Sequence, residues 1–186
     1  MRRESATGTL TPAVSDSDHA EGPSSAPVTL VEYGDYECPS CGGAFPIVKE
    51  LQQKMGSDMR FVFRNFPLRE AHPHALHAAI AAEAVGAHGD KKFWAMHDVL
   101  YEHQDALTDA DLAAYASDLG VSEAEITNAF EVGAFADRVR ADFRNGVRSG
   151  VNGTPTFFIN GERYDGDWRD VTAFLSALRS AAKVHA

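Results

Sequence analysis

Residues 27–41, Pro27-Val-Thr-Leu-Val-Glu-Tyr33-Gly34-Asp35-Tyr36-Glu37-Cys38-Pro39-Ser40-Cys41, decide how this chain is read. Val28 to Tyr33 is short, apolar and rich in β-branched residues, and Gly34 closes it, which predicts a buried strand. Cys38-Pro39 then opens a helix, because a proline at the first helical position loses an N–H that would be unpaired there anyway. Phe45, Val48, Leu51 and Met55 recur at helical spacing, and Gly56 ends the run. Two cysteines three residues apart on a first helical turn bring their sulfurs within disulfide reach. The free N–H groups and partial positive charge of that helix end favour a thiolate, and a thiolate is the species that attacks a disulfide. Cys38 is thus predicted to be the exposed nucleophile. Cys41, one turn further in, is predicted to resolve the mixed disulfide.

Outward from this stretch, Met59 to Arg64 alternates and predicts a second strand. From Pro67 to Gly150 the pattern is helical. Thr108-x-x-Asp111 and Ser122-x-x-Glu125 are capping-box sequences. Phe135, Val139, Phe143 and Val147 form a stripe at four-residue spacing, expected to face the core. Thr156 to Asn160 predicts a further strand, Asn160-Gly161 a hairpin turn, and Glu162 to Tyr164 the returning strand. A last helix is expected from Asp167, with Val171, Phe174, Leu175 and Leu178 inward. Residues 1–26 are dominated by Ser, Pro, Gly, Ala and acids and predict a disordered tail. Residues 27–66 and 151–184 then form an α/β core, with 67–150 as an inserted helical domain.

The 186 residues carry a net charge of −10 and only two cysteines. The charge disfavours nucleic acid and anionic lipid as partners, and two cysteines exclude a disulfide-stapled scaffold. No apolar run reaches the ~18 residues of a membrane span, so membrane insertion is excluded. Arg2 and Arg3 are followed by no apolar stretch of an export signal, and a cytoplasmic location is expected. His72, His74 and His77 could suggest a metal, but there is no second Cys-x-x-Cys, and neither metal nor cofactor is expected.

Thr154-Pro155 precedes the third core strand. A proline there forgoes a ladder hydrogen bond, so a cis bond with a role at the site is expected. Pro155 opposite the cysteines would leave the Thr154 backbone free to pair with an extended substrate.

Taken together, Tyr36-Glu37-Cys38-Pro39-Ser40-Cys41 and Gly153-Thr-Pro-Thr-Phe-Phe-Ile-Asn-Gly161 resemble the DsbA-like branch of the thioredoxin superfamily. Arg64-Asn-Phe-Pro-Leu68, His72-Pro-His-Ala75 and Phe93-Trp-Ala-Met-His-Asp98 bring the likeness closer to the thioredoxin-like domain fused to NhaA-type antiporters. The resemblance spans about residues 18–180. It implies an α/β thioredoxin fold with an inserted helical domain. No antiporter helices accompany it, which implies a stand-alone copy.

The activity it implies is thiol–disulfide exchange on protein or small-thiol substrates, with a separate electron donor or acceptor restoring the pair. Pro39, Ser40, Thr154 and Pro155 would contact substrate. Glu32 stands where the family has an acidic residue beneath the active site. Burial would raise its pKa and let it take the Cys41 proton. Asp35 and Glu37 are expected to oppose thiolate formation at Cys38, and Ser40 replaces the His of DsbA's own motif. The redox potential is therefore expected between the ~−120 mV of DsbA and the ~−270 mV of thioredoxin. Two alternatives remain open: a glutathione-binding transferase or isomerase on the same fold, which typically has serine where Cys38 stands, and a non-catalytic redox-sensing partner module.

Overall fold

The computed structural model describes residues 8–184. A five-stranded mixed sheet organises the molecule in the order β1-β3-β2-β4-β5. The strands are β1 (His19–Glu21), β2 (Val28–Gly34), β3 (Met59–Asn65), β4 (Thr156–Ile159) and β5 (Glu162–Tyr164). β2 and β3 run parallel, joined by helix α1 (Pro39–Met55), while the other pairs are antiparallel. Between β3 and β4 lie α2 (Ala75–Gly86), α3 (Asp90–Glu102), α4 (Asp109–Asp118), α5 (Glu123–Val132) and α6 (Ala136–Arg148), and α7 (Val171–Val184) closes the chain.

The period of two along β2 separates two cores. Val28 and Leu30 face a large core shared with α1, α7 and the inserted helices. Val31 and Tyr33 face the opposite side, where they join Val62, Phe66 and Phe158. That second face is closed partly by the segment expected to be a disordered tail. Residues 8–26 are ordered into the fold, and residues 1–7 lie outside the described residues. Leu10 is buried, Val14 packs beside it, and β1 pairs with β3. The Arg64 guanidinium, itself buried, binds both Asp18 carboxylate oxygens (2.8 and 3.0 Å) and the carbonyls of Pro12 and Ala13. The physical reason for the correction is that a sheet apolar on both faces needs two covers, and Leu10, Val14, Ala20 and a buried ion pair supply part of the smaller one.

Local rules hold at several element ends. Thr108 and Asp111 form a reciprocal capping box at α4, and the Ser122 side chain accepts from the Glu125 N–H at α5. The two-residue loop between β4 and β5 is Asn160-Gly161, with φ of 48° and 84°. Two expectations are corrected. The last helix begins at Val171, because Asp167–Asp170 forms a turn and Asp170 Oδ1 accepts the Ala173 N–H. The stripe Phe135-Val139-Phe143-Val147 is not wholly inward: Val147 is 54% and Phe135 38% exposed. The buried face of α6 is rotated toward Val139, Asp142 and Gly146, because Asp142 receives the Asn65 backbone and side-chain N–H groups and Gly146 lets Phe66 and Tyr33 approach closely.

Candidate active site

β2 ends beneath the start of α1, and this junction places the cysteines. Cys38 is the helix N-cap in extended conformation (φ −71°, ψ 121°), and Pro39 follows at the first helical position. Both cysteines are free thiols. Cys38, expected to be exposed, is buried with 6% of its surface left open, because the Thr154 carbonyl lies against its sulfur, while Cys41 is fully buried. Pro39 is exposed and Ser40 half-buried.

Their environments push the two thiols apart. The Cys38 pKa falls to about 5, chiefly because the Cys41 thiol hydrogen-bonds to its sulfur. Thr154 and the backbone N–H groups of Cys41 and Ser40 add to this, against the opposing effect of burial. The Cys41 thiol is pushed well up by burial, by the same bond to Cys38 and by the charge of Glu32. One sulfur is thus ready as a thiolate at neutral pH and the other holds its proton.

Opposite the pair, the Thr154–Pro155 peptide bond is cis. The Cys38 Sγ lies 3.6 Å from the Thr154 carbonyl oxygen. Beneath the cysteines, Glu32 is buried and its Oε1 has no hydrogen-bond partner among the described residues. Burial, with the Cys38 charge second, raises its pKa to about 8. The residues singled out from the sequence, Glu32, Cys38, Pro39, Ser40, Cys41, Thr154 and Pro155, therefore meet at one end of the sheet.

Asp35 and Glu37 also have a structural part. The buried Asp35 carboxylate accepts from the N–H groups of Glu37 and Leu68 (both 2.8 Å) and pairs with His72 Nδ1 at 2.8 Å. Glu37 Oε2 accepts the His74 N–H at 2.6 Å. Both carboxylates bolt the active-site turn to the loop after β3. The histidines are likewise engaged: His72 by Asp35, and His77 by Asp109 at 2.6 Å. No cluster of three or more metal-ligating side chains occurs among the described residues.

Two polar groups near the cysteines had no local sequence signal. Gln104, in the loop between α3 and α4, donates from Nε2 to the Tyr36 and Cys38 carbonyls. The Tyr101 hydroxyl is buried and, like Glu32 Oε1, would contact a Cβ placed on Gly34.

Residues 15–177 match the family model described as Thioredoxin. The chain belongs to the thioredoxin family. It is 44% identical over 172 residues to the Na(+)/H(+) antiporter NhaA 1 of Salinispora arenicola, a match covering 92% of this chain and 26% of that protein. The corresponding antiporter of Mycobacterium sp. (strain KMS) is 40% identical over 171 residues, covering 91% and 27%. The chain thus spans about a quarter of the length of these curated relatives and is homologous to their thioredoxin domain. Oxidised BdbD from Bacillus subtilis superposes with a TM-score of 0.82 at 25% identity, over 89% of this chain and 93% of that one. The thiol-disulfide exchange protein alpha-DsbA2 from Wolbachia pipientis shares the fold, with a TM-score of 0.69 at 21% identity over 86% of each chain. Within the thioredoxin family the chain has an α/β thioredoxin fold with an inserted helical region, like that of the DsbA structures, and it carries the pair Cys38–Cys41. No helix among the described residues is long and apolar enough to cross a membrane.

Proposed function

We propose that the protein exchanges disulfides with protein or small-thiol substrates through Cys38-Pro39-Ser40-Cys41. The observation that carries this reading is the contrast between a slightly accessible cysteine with its pKa lowered to about 5 and a fully buried partner with its pKa raised, above a buried carboxyl whose Oε1 has no partner among the described residues. In the reducing direction the Cys38 thiolate attacks a substrate disulfide, forming a mixed disulfide and releasing one substrate thiolate. Glu32, in its ionised form, takes the Cys41 proton. The Cys41 thiolate then attacks Cys38 Sγ, the Cys38–Cys41 disulfide forms, and the second substrate sulfur leaves as a thiolate and is protonated. Two electrons have passed to the substrate, so a dithiol donor must restore the pair. In the oxidising direction every step reverses and a disulfide acceptor takes the donor's place. The Thr154 backbone beside Cys38 holds the substrate chain, with Pro39, Ser40 and Pro155 as its neighbours.

The test uses purified protein with dithiol-driven reduction of insulin. Cys38→Ser abolishes turnover, and Cys41→Ser accumulates mixed disulfides because nothing resolves them. Near-normal turnover by Cys38→Ser overturns the mechanism. A cysteine at position 38 argues against the glutathione-transferase alternative, and a single stoichiometric adduct with Cys41→Ser would favour a dedicated sensing module instead.

A further inference from the structure

We infer that Gln104 is a positioning residue for Cys38, through which the inserted helices hold the nucleophile in place. The inference rests on the exchange mechanism proposed above and names a residue outside the Cys-x-x-Cys turn on which it depends. Gln104 follows α3, where His103 ends the helix and the chain turns toward α4. Its side-chain amide reaches back to the start of α1. The two N–H bonds of Nε2 go to two carbonyls, those of Tyr36 and Cys38, at 2.9 Å each. An amide nitrogen has two donors, so this group is fully engaged.

The Cys38 carbonyl also accepts the Gly42 N–H at 3.1 Å, the first hydrogen bond of α1. Gln104 therefore sits on the peptide group that defines where the helix starts. Together the two bonds span Tyr36 to Cys38 and hold Cys38 extended at the N-cap. From there its sulfur meets the N–H groups of Ser40 and Cys41 and the Cys41 thiol, which lower its pKa.

A second observation points to the same contact. A Cβ on Gly42 would overlap the Gln104 side chain, 2.6 Å from Cδ and closer still to Oε1. A glycine inside a helix is unfavourable relative to alanine. The backbone at Gly42 does not need glycine for a positive φ, so the space for Gln104 is what it supplies. The insert thus reaches Cys38 by a route separate from the Asp35 and Glu37 anchors on the other side of the turn.

Loosening this hold lets Cys38 drift from its donors, so its pKa rises. Losing a hydrogen bond's worth of positioning corresponds to a rise of about half to one pH unit. At pH 5 that slows alkylation of Cys38 by iodoacetamide roughly two- to fivefold. The experiment measures thiolate absorbance and alkylation rate against pH in full-length, reduced protein, with thermal unfolding of each variant alongside. Gln104→Ala is expected to raise the Cys38 pKa, and Gln104→Glu to raise it further, because a carboxylate would face two carbonyl oxygens. Gly42→Ala is expected to raise it by displacing the amide. In the double variant Gly42→Ala/Gln104→Ala the methyl has room, so the pKa matches that of Gln104→Ala alone while the helix gains stability.

A Cys38 pKa unchanged in Gln104→Ala and Gly42→Ala, with or without lower melting temperatures, overturns the inference and leaves Gln104 a structural contact. So does a Gly42→Ala shift that adds in full to that of Gln104→Ala. Failure of the exchange mechanism would show differently, as turnover retained in Cys38→Ser whatever Gln104 does.

Discussion

Glu32→Gln should make the protein more stable, and increasingly so as pH rises. The Glu32 carboxyl titrates near 8 in the folded protein against an ordinary 4.5, first because it is buried and second because of the Cys38 charge. A folded pKa above the unfolded one means that the native state holds the proton that the unfolded chain gives up. Stability from this group is complete below about 4.5 and is lost as pH rises through about 8. The loss runs at about 1.4 kcal/mol per pH unit in that window. Between pH 5 and 8 the sum is about 4 kcal/mol as an upper value, and relaxation of the site brings the expected difference to roughly 2–3 kcal/mol. Glutamine cannot ionise, so its variant escapes the slope. The assay is urea unfolding of wild type and Glu32→Gln, both oxidised, from pH 5 to pH 9. Oxidation removes the Cys38 thiolate, the smaller of the two causes, so burial alone acts and the difference falls toward the lower end of that range. A gap between the two proteins that widens with pH supports the argument, and parallel profiles refute it. In the same variant the Cys41 step should slow, seen as longer-lived mixed disulfides, while the first attack by Cys38 does not.

Other outcomes follow from single contacts. Cys41→Ala should raise the Cys38 pKa above its value of about 5, since the Cys41 hydrogen bond is the largest influence lowering it; thiolate absorbance against pH reads this directly. Asp18→Ala leaves Arg64 buried without its carboxylate and should cost about 3–5 kcal/mol, with residues near the amino terminus becoming open to limited proteolysis. Thr108→Ala removes the reciprocal cap of α4 and should cost about 1 kcal/mol in urea unfolding, without effect on the Cys38 pKa.

Features whose cause lies within a few residues were the ones legible in the sequence. The cysteine pair after an apolar strand, the Thr108 capping box and the Asn160-Gly161 turn each announce themselves locally, and each stands where it was expected. The segment 8–26 did not, because its apolar contribution is only Leu10, Val14 and Ala20, set among mostly small and polar residues. Its hold on the fold comes from Arg64, 46 residues from Asp18. The α6 stripe misled for a related reason: a carboxylate at Asp142, placed to receive Asn65, is buried in preference to Val147. At the site, Asp35 and Glu37 were visible only as charges. Their partners Leu68, His72 and His74 lie more than 30 residues away, so the sequence did not reveal that they act as anchors. Gln104 is the extreme case, one of several polar residues in a loop and 66 residues from the carbonyl of Cys38 it binds.

In the proposed exchange Cys38 attacks as a thiolate while Cys41 waits protonated. This is tested most directly by alkylating the reduced protein with iodoacetamide across pH 4 to 9 and locating the label by peptide mass mapping. Label is expected on Cys38 alone below neutral pH, with a rate that rises through an apparent pKa near 5. Equal labelling of both cysteines, label appearing first on Cys41, or no reaction until the pH nears the ~8.5 of an ordinary cysteine would contradict it.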